Sequence, residues 1–290
     1  KSVGVIGNAA SAIQFVPEIA PRVDRLVVFQ RSANWIIPKP DRAYSEWERR
    51  LYRRFPALLA ASRARIFLRL DLNFGLMKQG SWQGKLVGRT LTRGLGKIES
   101  ERLPQRALVP DYPPGCKRLL ISNDWYPTLL RPNVAVELSP IAHATPTGLQ
   151  TDGGTHHDLN TIIYATGFDT TGFLMPMEVT GEGGADLHAT WGGTPRAHLG
   201  LCVPGFPNLF MLYGPNTNLG HNSILYMIEA QVDYVLQCVT ELVGTDTDAL
   251  AVHPEAMAAS NRRLDDELGS QGSATCPAPG TILKTVTGTV

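Results

Sequence analysis

The stretch GVIGNAASAIQ, Gly4 to Gln14, decides how the rest of the chain is read. VGVI (Val3 to Ile6) has the aliphatic composition of a buried parallel strand. Gly7 breaks the run, and SAIQFVPEIA (Ser11 to Ala20) continues as a helix that Pro17 makes short or irregular. A second strand follows at RLVVFQR (Arg25 to Arg31). Strand, glycine turn, helix and strand within about 30 residues form the βαβ unit of a nucleotide-binding sheet. In a dinucleotide cradle the first glycine permits the tight turn and the second lets backbone approach the pyrophosphate. The third position needs a small residue for helix-on-strand packing. Gly7 and Ala12 meet the first and third demands, whereas Ala9 sets a methyl group where the second wants bare backbone. Two readings follow. One is a tightened cradle in which Gly7, Asn8, Ala9, Ala10, Ser11, Ala12 and Gln14 form the cofactor turn, backbone N–H groups at the helix start facing a phosphate. The other is an ordinary strand–turn–helix.

The end of the second strand bears on that choice. Gln30-Arg31-Ser32 stands where an NAD site carries an acidic residue for the ribose hydroxyls. An arginine there repels nothing on a 2′-phosphate and grips it through paired N–H groups. A nucleotide bound here is expected to be NADPH, with Arg31 and Ser32 beside its extra phosphate. The plain alternative is an exposed charge at a strand end.

Charge distribution agrees with an anionic ligand. Residues 1–110 carry 20 Lys/Arg against 8 Asp/Glu, whereas the remainder carries 7 against 18, for a net charge of +1. No basic patch is interleaved with aromatics, so nucleic acid is not the expected partner. Four well-separated cysteines without a CxxC pair argue against a zinc site, a disulfide scaffold or a dithiol redox centre, and a reducing, cytoplasmic setting is expected. No stretch approaches the roughly 20 apolar residues that span a bilayer.

Further along, Trp47, Leu51, Phe55, Leu59, Ile66 and Leu70 recur at helical spacings with arginines between them. They predict an amphipathic helix, or two broken near Pro56, packed on the core with a solvated basic face. A membrane-surface contact is the sharper alternative. Prolines at 104, 110, 113 and 114 predict a long loop. A strand is expected at Val134–Glu137, and DGGTHHD (Asp152 to Asp158) reads as a hairpin-like turn. In that turn His156 and His157 are solvated rather than metal-bound. TIIYATGF (Thr161 to Phe168) reads as a buried strand, and NLFMLYGPN (Asn208 to Asn216) as another ending in a Gly-Pro turn. A long helix capped by Asn222 or Ser223 carries an apolar stripe of Ile224, Ile228, Val232, Val235, Val239 and Leu242. From Gly269 the chain is Gly-, Ser-, Thr- and Pro-rich and is expected to be poorly ordered.

Several of these segments together resemble the class B flavoprotein monooxygenases, the group of Baeyer–Villiger and N-hydroxylating enzymes. They are IGNAASAIQ, VFQRSANW (Val28 to Trp35), YPPGCKRLLISNDWYP (Tyr112 to Pro127), IIYATGFD (Ile162 to Asp169) and LYGPNTNLGHNSILYMIEAQ (Leu212 to Gln231). The likeness extends to about Leu268. It implies an α/β fold of two interleaved dinucleotide-binding domains. A Rossmann-like NADPH domain would occupy residues 1–163, with a helical excursion over about 41–105. The returning part of an FAD domain would occupy 164–268, followed by an atypical tail at 269–290. The resemblance implies that the FAD domain's own glycine-rich unit precedes Lys1, so that the chain reads as a fragment. It further implies Arg118 as the active-site arginine that stabilises a negatively charged flavin peroxide. Lys117 would lie at the NADPH phosphate, and Ala165, Thr166, Gly167, Pro215, Asn216 and Asn218 at the cofactors. His221 would hold local structure, and Asp124 would either orient a cofactor or form an Asx turn. The implied activity is FAD- and NADPH-dependent insertion of oxygen from O₂ into a ketone. The alternatives are oxygenation of an amine or sulfide, and a catalytically silent NADPH-binding remnant.

Overall fold

The structure is a computed structural model that describes residues 1–39, 41–72, 82–98, 103–112, 114, 117, 119–169, 172–218 and 222–269. The chain divides into two compact units, residues 1–50 with 80–168, and residues 51–79 with 169–290. In chain order the first elements are β1 (Ser2–Ile6), α1 (Ala12–Ile19), β2 (Arg25–Phe29), β3 (Ile36–Ile37), α2 (Glu46–Arg54), α3 (Pro56–Asp71), α4 (Trp82–Leu95) and α5 (Gln105–Leu108). Then come β4 (Leu120–Ile121), α6 (Trp125–Leu129), β5 (Val134–Glu137), β6 (Ile141–Thr145), β7 (Gly148–Thr151), β8 (His156–Asp158) and β9 (Thr161–Tyr164). The last helices are α7 (Leu187–Trp191), α8 (Ile224–Gly244) and α9 (Pro254–Gly269).

The first unit is built on a parallel sheet in the order β5-β2-β1-β9. Alternate residues of a strand face opposite sides, and β2 is buried on both. Leu26 and Val28 join Val3, Val5, Ala12, Ile13 and Val16 in the core beneath α1. Val27 and Phe29 pack on the other side with Leu149 of the antiparallel β6-β7-β8 meander. Two covered faces explain why RLVVF is a continuous apolar run rather than an alternating one. β9 differs from the buried strand expected at TIIYATGF. It is an edge strand, with Ile162 and Ile163 half-buried and Tyr164 exposed, and it ends four residues earlier.

The predicted turn at DGGTHHD is shorter than expected, because His156 and His157 belong to β8. His157 is 5% exposed rather than solvated, and its Nε2 lies 3.0 Å from Glu137 Oε2. His156 stays at the surface beside Asp158. The proline-rich loop contains the short α5, tied down by the buried Gln30, whose Nε2 donates to the Ala107 carbonyl at 2.8 Å. Asp124 makes no side-chain cap at α6. Ser122 takes that part, its hydroxyl oxygen accepting from the N–H groups of Asp124 and Trp125.

Pro56 does break the excursion, standing at the start of α3 where its missing N–H costs nothing. The expected packing on the core is not found: α2 and α3 bury no residue, and Trp47, Phe55, Leu59 and Ile66 are exposed. The aliphatic residues of α3 are spread around its axis between Arg63, Arg65 and Arg69, so no single face is apolar enough to bury. Two polar contacts and a ring contact hold α3 to α8: Arg63 pairs with Glu229 at 2.7 Å, the Tyr226 hydroxyl donates to the Arg63 carbonyl at 2.8 Å, and Phe67 meets the Tyr226 ring edge-on at 4.9 Å.

In the second unit the described residues form helices and isolated backbone bridges but no strand. The segment 208–216, expected as a strand, is a series of turns, because a strand needs a continuous neighbour to pair with and the long-range backbone bonds found here go to two separate places, from Asn208 N–H to Leu250 and from Met211 N–H to Leu201. The helix after Ser223 forms as expected, capped by that serine. Its buried line is rotated from the expected stripe: Val232 and Val239 are exposed, whereas Gln231 is 3% exposed.

Candidate functional site

The carboxyl end of β1 is a topological switch point. The chain leaves β1 through the glycine turn to β2 on one side, while β9 returns on the other. Between such diverging connections an open α/β sheet leaves a crevice for ligands. Gly7 closes it. Its φ of 108° is open to glycine alone among common residues, its N–H donates to the Phe29 carbonyl at 3.0 Å, and an added methyl would collide with the Ala165 carbonyl. Ala165 N–H in turn donates to Ile6 at 2.8 Å. The turn is thus bound to both flanking strands, and the N–H groups of Asn8, Ala9 and Ala10 have no acceptor among the described residues. Ala9 is exposed, and Ala12, the first residue of α1, is buried as the third position requires. Ser11 is exposed at the N-cap position without a side-chain cap bond, while Gln14 donates to the Ala10 carbonyl at 2.8 Å.

A polar lattice joins this turn to the exit of β2. Asn8 Nδ2 donates to the Ser32 carbonyl at 2.9 Å, and Asn34 Nδ2 donates to the Asn8 carbonyl at 3.0 Å. The Tyr112 hydroxyl donates to the Ala33 carbonyl at 2.9 Å and lies 3.2 Å from Asn34 Oδ1. Lys117 Nζ donates to Ser32 Oγ at 3.1 Å and stands 4.5 Å from the centre of the Tyr112 ring. Burial, and then the neighbouring Arg31 guanidinium, hold the Lys117 ammonium below its ordinary range. Arg31 is exposed. Arg31 and Lys117 thus bring two positive charges to the exit of β2, offset in part by the Asp111 carboxylate, and a net positive field there favours an anion.

The remaining expected site residues divide by unit. Ala165 is half-buried behind the glycine turn, and Thr166 and Gly167 are exposed just beyond it. Pro215 is buried in the second unit, whereas Asn216 (φ 63°) and Asn218 are exposed there. Pro215 and Asn216 border a cavity of about 700 Å³ framed by α8, α9 and residues 197–201. Two of its lining residues, Gln231 and His198, carry buried side-chain nitrogens, Nε2 and Nδ1, with no hydrogen-bond partner among the described residues. The orientation of the Gln231 amide follows from Tyr213, whose N–H donates to Oε1 at 2.9 Å. Arg118 and His221 lie outside the described residues, as do residues 270–290 of the tail.

Sequence reasoning missed Asn34, Tyr112 and Gln231. The first two sit inside the segments VFQRSANW and YPPGCKR, so the only missing information was which of their neighbours they meet. Gln231 had a signal of its own, a polar residue in a helix otherwise read by its apolar positions. Among the described residues no three potential metal ligands gather, and no helix is long and apolar enough to cross a membrane.

A switch-point glycine turn joined to a basic strand exit defines a dinucleotide-binding α/β protein. By homology the chain belongs to the class B flavoprotein monooxygenase family. It is 40% identical over 279 residues to a Baeyer–Villiger monooxygenase of Pseudomonas aeruginosa, an alignment covering 94% of this chain and 52% of that protein. It is 36% identical over 283 residues to the FAD-binding monooxygenase ktnD of Aspergillus niger, covering 94% and 46%. Among solved structures, oxidized steroid monooxygenase bound to NADP superposes with a TM-score of 0.81 at 27% identity, covering 97% of this chain and 60% of that one. No family model matches the chain. The chain spans about half the length of the curated relatives it matches.

Proposed function

We propose that this chain carries the NADPH site of a flavin-dependent monooxygenase of the Baeyer–Villiger type. The observation that carries the reading is the glycine turn at the switch point, whose Asn8, Ala9 and Ala10 N–H groups have no acceptor among the described residues, joined by hydrogen bonds to the strand exit that carries Arg31 and holds Lys117. The turn residues Gly7 to Ala12, with Gln14, would hold the pyrophosphate of NADPH. Arg31, Ser32 and Lys117 would hold its 2′-phosphate. An NADP-bound structural relative and an FAD-binding sequence relative support the two cofactors. For FAD, this chain would contribute Ala165 to Gly167, Pro215, Asn216 and Asn218, with residues 1–163 and 164–268 as the two functional divisions. The unpaired nitrogens of Gln231 and His198 fit a hydrogen-bonding occupant in the second unit. When bound, NADPH supplies a hydride, and FAD accepts it and activates O₂. Arg118 is proposed as the permanent cation that favours developing negative charge in the pocket. The substrate class is a small organic ketone.

The test is titration of the purified chain with NADPH and NADH, followed by addition of FAD, O₂ and a panel of ketones, amines and sulfides. Lys117→Ala is expected to weaken NADPH by tenfold or more and to leave NADH within about twofold, a loss of about 1.4 kcal/mol. Ester formation from a ketone is the expected product. Equal weakening of both nucleotides would remove Lys117 from the 2′-phosphate. Nucleotide binding without FAD retention or turnover would leave the chain an NADPH-binding module.

A further inference from the structure

We propose that Tyr112 is the positioning residue that holds Lys117 at the 2′-phosphate subsite, so that the preference for NADPH depends on a ring that acts through the lysine. The inference rests on the NADPH reading above and adds to it the residue that sets the selectivity.

Lys117 has a reason to leave its place: Arg31 carries the same charge nearby, and the lysine is partly withdrawn from water. Without a bound ligand anion, that repulsion and solvation both favour a lysine swung outward. The Asp111 carboxylate attracts the ammonium in the opposite sense, and two contacts hold it in place. The Ser32 hydroxyl accepts from Nζ at 3.1 Å, and the face of the Tyr112 ring lies 4.5 Å from the ammonium. An ammonium over an aromatic face is attracted by the ring quadrupole, more strongly where water is displaced.

The ring itself is anchored at both ends to the exit of β2. Its hydroxyl donates to the Ala33 carbonyl at 2.9 Å. The Tyr112 carbonyl accepts from Trp35 Nε1 at 2.8 Å, and Trp35 is buried. Asn34 presents its oxygen to the Tyr112 hydroxyl because its nitrogen is committed to the Asn8 carbonyl. Tyr112 therefore relays the position of the glycine turn to the lysine, so that the pyrophosphate and 2′-phosphate subsites are set by one connected frame. Burial raises the Tyr112 phenol above its ordinary value, so it remains a neutral donor throughout the working range.

The experiment uses the full chain and measures dissociation constants for NADP⁺, NAD⁺, adenosine 2′,5′-bisphosphate and 5′-AMP by calorimetry, with circular dichroism as the fold check. Tyr112→Leu is expected to lower the NADP⁺/NAD⁺ preference by about tenfold, and the bisphosphate/AMP preference equally, with NAD⁺ affinity little changed. Tyr112→Phe keeps the ring and is expected to retain most of the preference, which a purely structural role of the hydroxyl would not allow. A folded Tyr112→Leu chain with full preference overturns the inference while leaving the NADPH site intact. So does a Phe variant that loses as much preference as Leu. A wild-type chain with no preference for the 2′-phosphorylated ligands overturns the NADPH reading itself, and this inference with it. Should Tyr112→Leu fail to fold, the Phe variant and a Tyr112→Trp variant carry the comparison. Retained preference with either ring supports the proposal, and loss with both overturns it.

Discussion

At Gly7 a single hydrogen separates a working turn from a collision. Its backbone lies in a region that L side chains rarely enter, and the Ala165 carbonyl occupies the space that a methyl would need. Gly7→Ala is expected to cost about 1–3 kcal/mol from backbone strain alone, more if β1 and β9 must separate. A lowered denaturant midpoint together with lost nucleotide binding would be the combined signature. A variant as stable as the parent would show that the turn can relax. Ala9, one step along, is the contrasting case. Its exposed methyl harms nothing in the fold, so any penalty it imposes falls on the ligand.

At the scale of elements, the decisive contacts are those that join one element to another. Glu137 at the end of β5 and His157 in β8 connect the parallel sheet to the meander, both of them largely buried. Burial opposes ionisation of Glu137, but the Ser139 N–H and hydroxyl, together with His157, outweigh it and hold the carboxyl below its ordinary value of 4.5. A carboxylate depressed on folding contributes stability that is complete above the unfolded value and is lost as pH falls through the folded one. Unfolding measurements across pH 3 to 7 are therefore expected to show a decline below about pH 4.5 that Glu137→Gln diminishes. An identical profile in the variant would remove Glu137 from the acid response. Arg25, whose guanidinium lies 3.5 Å from His157 Nδ1, is the other charge facing the imidazole. A donor on that side favours the proton on Nε2, pointing toward Glu137.

For the whole molecule, the proposed NADPH residues all lie in the first unit, while Pro215, Asn216 and Asn218 lie in the second. Saturation with NADP⁺ at about one hundred times its dissociation constant stabilises the state that binds it by about 2.7 kcal/mol. Hydrogen exchange is expected to slow around residues 7–12, 30–34 and 164–167 and to stay unchanged over 197–201 and 227–234. Protection centred on the second unit would place the nucleotide away from the glycine turn.

Much of the first unit was legible because its signals are local. VGVI, Gly7 and RLVVF each follow from strand burial and turn sterics within a few residues, and the Pro56 break and the Ser223 cap are equally short-range. The same reasoning misplaced what depends on distant partners. His157 became a buried strand residue because Glu137 and Phe29 meet it from other strands. TIIYATGF lost its buried status because no strand among the described residues lies beyond β9. The segment 208–216 stayed out of a sheet because its long-range backbone bonds, to Leu250 and Leu201, go to separate places rather than to one neighbouring strand.

By itself, then, the chain's order of residues determined a parallel βαβ start with a basic strand exit, since aliphatic runs, glycine and proline act on their own backbone. Only tertiary structure decided that Asn8, Asn34, Tyr112 and Lys117 form one frame. Hydrogen bonds and a cation over a ring depend on distances between residues as many as 85 apart in sequence, and no local propensity encodes them.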